Sequence, residues 1–223
     1  MSEPSEESKQ RLSLSRKVLY DPDSSAQQYV ETFENRAGTY DQDAATLGLT
    51  AWRIAAERVS LHQPNTDALI LDFCGGTGQV GKRLREAGYR HLHISDGSKP
   101  MLEEAAKLQV YEHAFQETVS RGDRCKFLEE CGTKYDVVLS SMTVAEFQPF
   151  VEQVVKENLK FGGVFIALES KAHVDKCRLD GIPWAIEEAS KPGSYLELLE
   201  DSCQERYDDF SDQRMRIVAV RKR

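Results

Sequence analysis

The stretch Ala68-Leu69-Ile70-Leu71-Asp72-Phe73-Cys74-Gly75-Gly76-Thr77-Gly78-Gln79-Val80-Gly81 decides how this chain is read. Its first half is a short, continuous apolar run, the pattern of a strand buried on both faces of a parallel sheet. Its second half is a glycine-rich turn that leads into a helix from Gln79 to Glu86, closed by Gly88 at the position of a left-handed cap. Glycines between a strand and a helix let the backbone come close to a ligand. The free N–H groups of the helix start then favour an anionic or polar group there.

Working outward, Arg90 to Ser95 alternates as a strand, and Ser98-Lys99-Pro100 opens a helix with a cap residue and a first-turn proline. A weaker strand is expected near Ala114 to Val119 and a clearer one from Tyr135 to Ser140. Ala145 to Lys160 reads as a helix with the apolar stripe Phe147, Phe150, Val151, Val154, Val155 and Leu159. Gly162-Gly163 is expected to end it before the strand Val164 to Leu168. On the N-terminal side, Ala26 to Arg36 and Ala44 to His62 are amphipathic, and residues 1–24 read as a flexible tail with helical potential near Leu12, Leu14 and Leu19. Toward the C-terminus the expectation is a helix around Tyr195 to Glu200 and a hairpin of Cys203 to Phe210 with Met215 to Val220. Alternating strands and helices imply a mostly parallel sheet covered on both faces. Ligands of such sheets bind beyond the carboxyl ends of the strands, where the strand order reverses.

Length and composition narrow the class. The 223 residues suit one domain, and a hydrophobic fraction of 40% with 30% charged residues is ordinary globular usage. The start Ser2-Glu3-Pro4-Ser5-Glu6-Glu7 lacks the features of a secretory signal, and no apolar run approaches membrane-spanning length. The five cysteines, Cys74, Cys125, Cys131, Cys177 and Cys203, are scattered without metal spacing, so reduced thiols and a cytosolic location, with the nucleus also open, are expected. A net charge of -8 argues against a nucleic-acid partner, which would need clustered Lys and Arg.

Two ligands compete for the glycine loop. Gly76-x-Gly78-x-x-Gly81 fits a dinucleotide fingerprint, whereas Asp72-x-x-x-Gly76-x-Gly78 fits the loop that binds S-adenosylmethionine. Asp72 tips the balance: a carboxylate at the end of an apolar strand needs a cationic or hydrogen-bonding partner. S-adenosylmethionine brings an ammonium to this place, while a nicotinamide dinucleotide would bring a pyrophosphate. The alternative is that Asp72 only accepts backbone N–H bonds in the turn. Asp96, 18 residues beyond Gly78, can accept both ribose hydroxyls of an adenosine in either ligand.

Leu71 to Gly78, Asp96-Gly97-Ser98-x-x-Met101-Leu102, Tyr135 to Val138 and Leu159 to Gly163 occur in the order and spacing of class I S-adenosylmethionine-dependent methyltransferases, a family this chain resembles over about residues 26–170. Tyr40 to Asp43, Ala68 to Asp72 and Asp96 to Ser98 are further similar to one methyltransferase-like group within it. The resemblance implies a Rossmann-like α/β fold with a central, mostly parallel seven-stranded sheet, helices on both faces and an antiparallel last strand. It implies a single methyltransferase domain over 25–223 and S-adenosyl-L-methionine as cofactor.

Carried over by position, Asp72 and the Gly76 to Gly78 loop would hold the methionine end of the donor, with Tyr40 covering it. Asp96 would hold the ribose, while Gly97, Met101, Val119 and Ser120 would border the adenine. Ser141 and Met142 would face donor and acceptor. Met101 and Tyr40 could equally be core packing. Cys74 and Gly75 exchange the small residues usual in the family.

The acceptor reads as a small molecule or a protein side chain. Ser140-Ser141-Met142-Thr143 replaces the Asn/Asp-Pro-Pro-Tyr segment that grips amino groups, there is no Pro-Cys pair for attack on cytosine, and no carboxylate cluster suggests a metal. Lys171 to Ser194, with Trp184, is a candidate acceptor wall. His93, His113, His173, Glu146 and Glu169 are candidate bases, none preferred strongly enough to assign. A nicotinamide-dependent oxidoreductase and a non-catalytic donor-binding module remain as alternatives.

Overall fold

A computed structural model describes residues 6–19, 21, 23–120, 122–143, 148–170, 174, 180–205 and 214–223. At its centre lies β1 (Leu69–Phe73), hydrogen-bonded in parallel to β2 (His91–Asp96) on one side and β4 (Tyr135–Ser141) on the other. β3 (His113–Gln116) continues the parallel array beyond β2, and β5 (Leu159–Ser170) continues it beyond β4. β7 (Arg214–Lys222) runs antiparallel to both β5 and β6 (Leu196–Glu205), and the order across the described sheet is β3-β2-β1-β4-β5-β7-β6. The chain therefore steps one way from β1 through β3 and the other way from β4 through β5. That reversal opens a crevice at the carboxyl ends of β1 and β4.

Side-chain alternation along the strands builds two cores. Leu71, Phe73, Val138, Phe165 and Val218 face one side, with α7 (Lys126–Cys131), α8 (Gln148–Gln153) and α9 (Gly181–Ala189) supplying Leu128, Phe150 and Ile182. Ile70, Val137, Leu139, Ile166 and Ile217 face the other, under Ile54, Ala55 and Val59 of α4 (Ala51–His62) and Val80 and Leu84 of α5 (Gln79–Glu86). With both faces covered, β1 is almost wholly buried, which explains why it is apolar apart from Asp72.

α6 (Lys99–Lys107) starts as the sequence predicts, with the Ser98 hydroxyl accepting from the Met101 N–H and proline in the first turn. α1 (Glu6–Leu19), α2 (Ala26–Glu34) and α3 (Ala37–Thr46) form an N-terminal layer, of which α2 and α3 pack against α6. α1 falls within the stretch expected as a tail. It is tied down because Asp43 of α3 accepts from Arg11 Nε (2.7 Å), Arg11 Nη2 (2.6 Å) and Ser8 Oγ (2.9 Å).

Several expectations need correction. The helix foreseen over Ala44 to His62 is two, separated where Leu47 caps α3 and Gly48 turns the chain at φ 61. The third strand ends at Gln116, so Val119 and Ser120 lie beyond it. Leu159 and Lys160 belong to β5 instead of a helix: α8 gives way to a π-helical turn at Val154–Asn158, and the strand runs through Gly162 and Gly163. A Cβ on Gly163 would sit 2.9 Å from the Lys160 carbonyl and 3.0 Å from that of Tyr135, so this glycine admits an irregular strand crossing and does not mark its start. Tyr195 to Glu200 is not helical, because from Leu196 on it pairs with β7; the helix of this region is α9. The first hairpin strand accordingly begins at Leu196, and the expected residues 206–210 lie outside the described ones, as does the helix start at 145–147.

Candidate donor-binding site

Burial and geometry make Asp72 the focus of the crevice. It is only 1% exposed at the penultimate position of β1. Its Oδ2 accepts a 2.6 Å hydrogen bond from the Tyr111 hydroxyl, and its buried Oδ1 has no hydrogen-bond partner among the described residues. Desolvation pushes this carboxyl up to about 7; Tyr111 opposes the shift and the nearby Asp96 adds to it. A buried carboxylate oxygen without a partner costs free energy that a hydrogen-bond donor or a cation would offset.

Asp96, at the end of β2, organises the glycine loop. Its Oδ2 accepts from the Gly76 N–H at 2.9 Å and its Oδ1 from the Ser98 N–H at 2.8 Å. Burial raises its pKa and these two backbone bonds oppose the rise. Each oxygen retains a lone pair, so vicinal hydroxyls can still be accepted. Next to it, a Cβ on Gly97 would lie 2.7 Å from both Thr118 Oγ1 and Val30 Cγ2, so the missing side chain lets α2 and the segment after β3 close on this end of the crevice.

The third glycine of the fingerprint has a local explanation. A Cβ on Gly81 would stand 2.2 Å from Cζ and Oη of Tyr111, and the Gly81 N–H donates to that hydroxyl at 3.0 Å. Gly81 thus makes room for a protein side chain, a packing role that suits either ligand. Gly78 is the left-handed N-cap of α5 and likewise packs on the Tyr111 ring.

The carboxyl ends of β1, β2 and β4 open into a cleft whose space, open mouth included, is roughly 1070 Å³. Of the residues expected at the site, Tyr40, Asp72, Gly76, Asp96, Gly97, Met101, Val119, Ser141 and Met142 line it together. Gly78 and Ser120 are not among its lining residues. Tyr40 lies on α3 with its ring edge toward Phe33, ring centres 6.1 Å apart, and the Arg36 guanidinium over it. Cys74 borders the cavity at φ 55, a left-handed conformation rarely taken by a side-chain-bearing residue.

Sequence reasoning missed five contributors. Tyr111 carried no motif. Asp41 clasps the loop from α3, accepting from Thr77 Oγ1 at 2.6 Å and Gln79 Nε2 at 2.7 Å. Tyr29, Phe33 and Trp52 add aromatic wall from α2 and α4. Their only sequence signal was helical amphipathicity, which marks a buried face without saying what it covers.

The candidate bases fare differently. His93 bonds Tyr135 Oη at 3.2 Å, stacks edge-on with His113 and is away from the cavity; burial lowers its pKa. Glu169 is buried in β5, where its Oε1 accepts from the Ser170 N–H, also away from the cavity. Glu146 and His173 lie outside the described residues. Among the described residues no group of three or more His, Cys, Asp or Glu side chains is arranged to hold a metal.

The strand order and the position of this crevice define a Rossmann-like class I methyltransferase fold. Residues 70–163 match the family model described as a methyltransferase domain. Human methyltransferase-like protein 27 is 41% identical over 87 residues, 38% of this chain and 36% of that protein, so the match spans about a third of the relative's length. Similar solved structures include the [4+2]-cyclase SpnF, with TM-score 0.61, 12% identity and coverage of 91% of this chain and 98% of that one. The DhpI–SAH complex structure has TM-score 0.53 and 17% identity, and covers 88% of this chain and 96% of that one. The chain resembles class I S-adenosylmethionine-dependent methyltransferases in its motifs and in its fold.

Proposed function

We propose that this chain is an S-adenosylmethionine-dependent methyltransferase acting on a small-molecule or protein acceptor, with 25–223 as its single functional domain. The observation that carries the reading is the buried, unpaired Oδ1 of Asp72, one strand away from the Asp96 carboxylate. An ammonium pairs with the first and a ribose with the second, and S-adenosylmethionine carries both groups. The cofactor supplies a methyl group already activated by a sulfonium leaving group.

In this reading Asp72 and the Gly76 loop hold the amino-acid end under Tyr40, and Asp96 holds the ribose. Gly97, Met101 and Val119 border the adenine, while Ser141 and Met142 face the reacting end. Gly78 acts through the loop's shape, and Ser120 has no role supported by its position. The chain's contribution is alignment: holding a nucleophile in line at near-attack distance supplies several kcal/mol without a dedicated base. Phe33, Trp52 and Met142 add apolar lining to the same cavity.

Asp72, Asp96 and Glu117 are the acidic side chains among the lining residues, which include no Lys or Arg, so the lining disfavours an anionic acceptor. Among the described residues no helix is long and apolar enough to cross a membrane, and Cys74, Cys125, Cys131 and Cys203 are free thiols, which supports an aqueous, reducing compartment such as the cytosol or nucleus.

Calorimetry with S-adenosylmethionine, S-adenosylhomocysteine and NAD side by side tests the reading. Binding of both sulfur nucleosides and not of NAD is expected; preference for NAD would replace it with the oxidoreductase. Production of S-adenosylhomocysteine with an acceptor panel then separates an enzyme from a binding module.

A further inference from the structure

Tyr111 sits in the connection between α6 and β3, 39 residues from Asp72 in sequence, yet its hydroxyl joins Asp72 to the start of α5. Its hydroxyl donates to Asp72 Oδ2 at 2.6 Å and accepts from the Gly81 N–H at 3.0 Å. Its ring fills the space left by Gly78 and Gly81, where added Cβ atoms would approach it to 2.8 and 2.2 Å. Helix α5 begins at Gln79 with Gly78 as N-cap, so Gly81 occupies the third helical position. The N–H there is normally satisfied by the side chain of the N-cap residue. Gly78 has none, and the Tyr111 phenol supplies that bond from outside the helix.

The phenol is therefore a bridge from the positive end of α5 to one oxygen of the carboxylate. With Oδ2 claimed, Oδ1 is the oxygen left without a partner, and Asp72 lines the cavity. We propose that Tyr111 is a positioning residue that orients Asp72 for the amino group of the methyl donor, holding one carboxylate oxygen so that the other meets the ammonium. The inference rests on the methyltransferase reading above. It also explains why the loop needs glycine at 81: the position is taken by the ring whose hydroxyl does the orienting.

A purely structural Tyr111 would support the fold and every ligand alike, whereas a positioning role is confined to ligands that carry the amine. Tyr111→Phe keeps the ring over both glycines and removes only the hydroxyl. Two probes separate the roles: S-adenosylhomocysteine, which carries the amino-acid chain, and 5′-methylthioadenosine, which retains adenine and ribose without it. Calorimetry at pH 7.5 should show the S-adenosylhomocysteine affinity of Tyr111→Phe falling by about tenfold or more, with 5′-methylthioadenosine held within about twofold of the wild type. Gly81→Ala, which intrudes on the ring's place, should give the same selective loss and serves as the second variant.

Equal loss of both probes in folded variants, or no loss of either, overturns the assignment and leaves Tyr111 as packing. If the wild type binds neither nucleoside, the donor reading itself fails and this inference falls with it. If the wild type binds S-adenosylhomocysteine and Tyr111→Phe binds it equally, only the role of Tyr111 is lost.

Discussion

At the scale of the residue, the two carboxylates sit in different surroundings although both stand at the carboxyl end of a strand. Asp96 has both oxygens on backbone N–H groups and is held rigidly, whereas Asp72 has one oxygen on a phenol and one unpaired. Replacing Asp96 by Ala should weaken S-adenosylhomocysteine binding by about tenfold to a hundredfold, the effect of losing two charge-assisted hydrogen bonds, with the fold kept. Calorimetry beside circular dichroism checks this; an unchanged affinity would refute the ribose assignment. Both carboxylates and the glycines were legible in the sequence, because a charged residue at the end of an apolar strand is conspicuous. Tyr111 was not, because a tyrosine in a loop resembles any other and its partners are 30 and 39 residues away.

Among the elements, α2 and α3 of the N-terminal layer line the cavity, and α1 is fastened to α3. Asp43 of α3 binds Arg11 of α1 through both oxygens and lies 3.7 Å from Arg36, whose guanidinium stands over the Tyr40 ring. Arg36 also bonds Ser15 of α1, so the layer is tied together through charged groups. Asp43→Asn would leave two guanidinium groups facing a neutral amide, and we expect about 2–3 kcal/mol of lost stability in urea unfolding, below the range for a fully buried pair because Arg11 remains partly exposed. Donor affinity should fall with it, by a few-fold, as Tyr40 and Asp41 lose their anchorage. A variant with wild-type unfolding would show the ion pairs to be ornamental. Gly163→Ala tests the other end of the sheet: the added carbon meets two backbone carbonyls, and a loss of about 1–3 kcal/mol is expected without selective effect on donor binding.

For the whole molecule, the raised pKa of Asp72 links stability to pH. Its folded value of about 7 exceeds the unfolded value near 4, so the folded state holds the proton more tightly. Its contribution is complete below about pH 4 and is lost as pH rises through 7, a difference on the order of 4 kcal/mol for an empty site. A bound ammonium reverses this by pairing with the ionised form. The rise in melting temperature produced by saturating S-adenosylhomocysteine should therefore be larger at pH 8 than at pH 6, with Tyr111 and Asp96 the groups that share the local field. Differential scanning fluorimetry at the two pH values measures it, and an equal rise at both would separate Asp72 from the amine.

The pattern of residues along the chain was enough to determine the alternation of strands and helices and the placing of Asp72 and Asp96 toward the carboxyl ends of neighbouring strands. Those features follow from local periodicity, turn chemistry and the energetic exposure of a charge in an apolar run. Only the tertiary structure decided that Leu196 to Glu205 is a strand, that α1 is fastened to α3 and that Tyr111 occupies the gap at Gly81. Each of these depends on a partner distant in sequence: β7 for the strand, Asp43 for the helix, and Asp72 with the start of α5 for the tyrosine. The segment itself contains no signal for such a partner, because the stabilising contact exists only once the chain has folded around it.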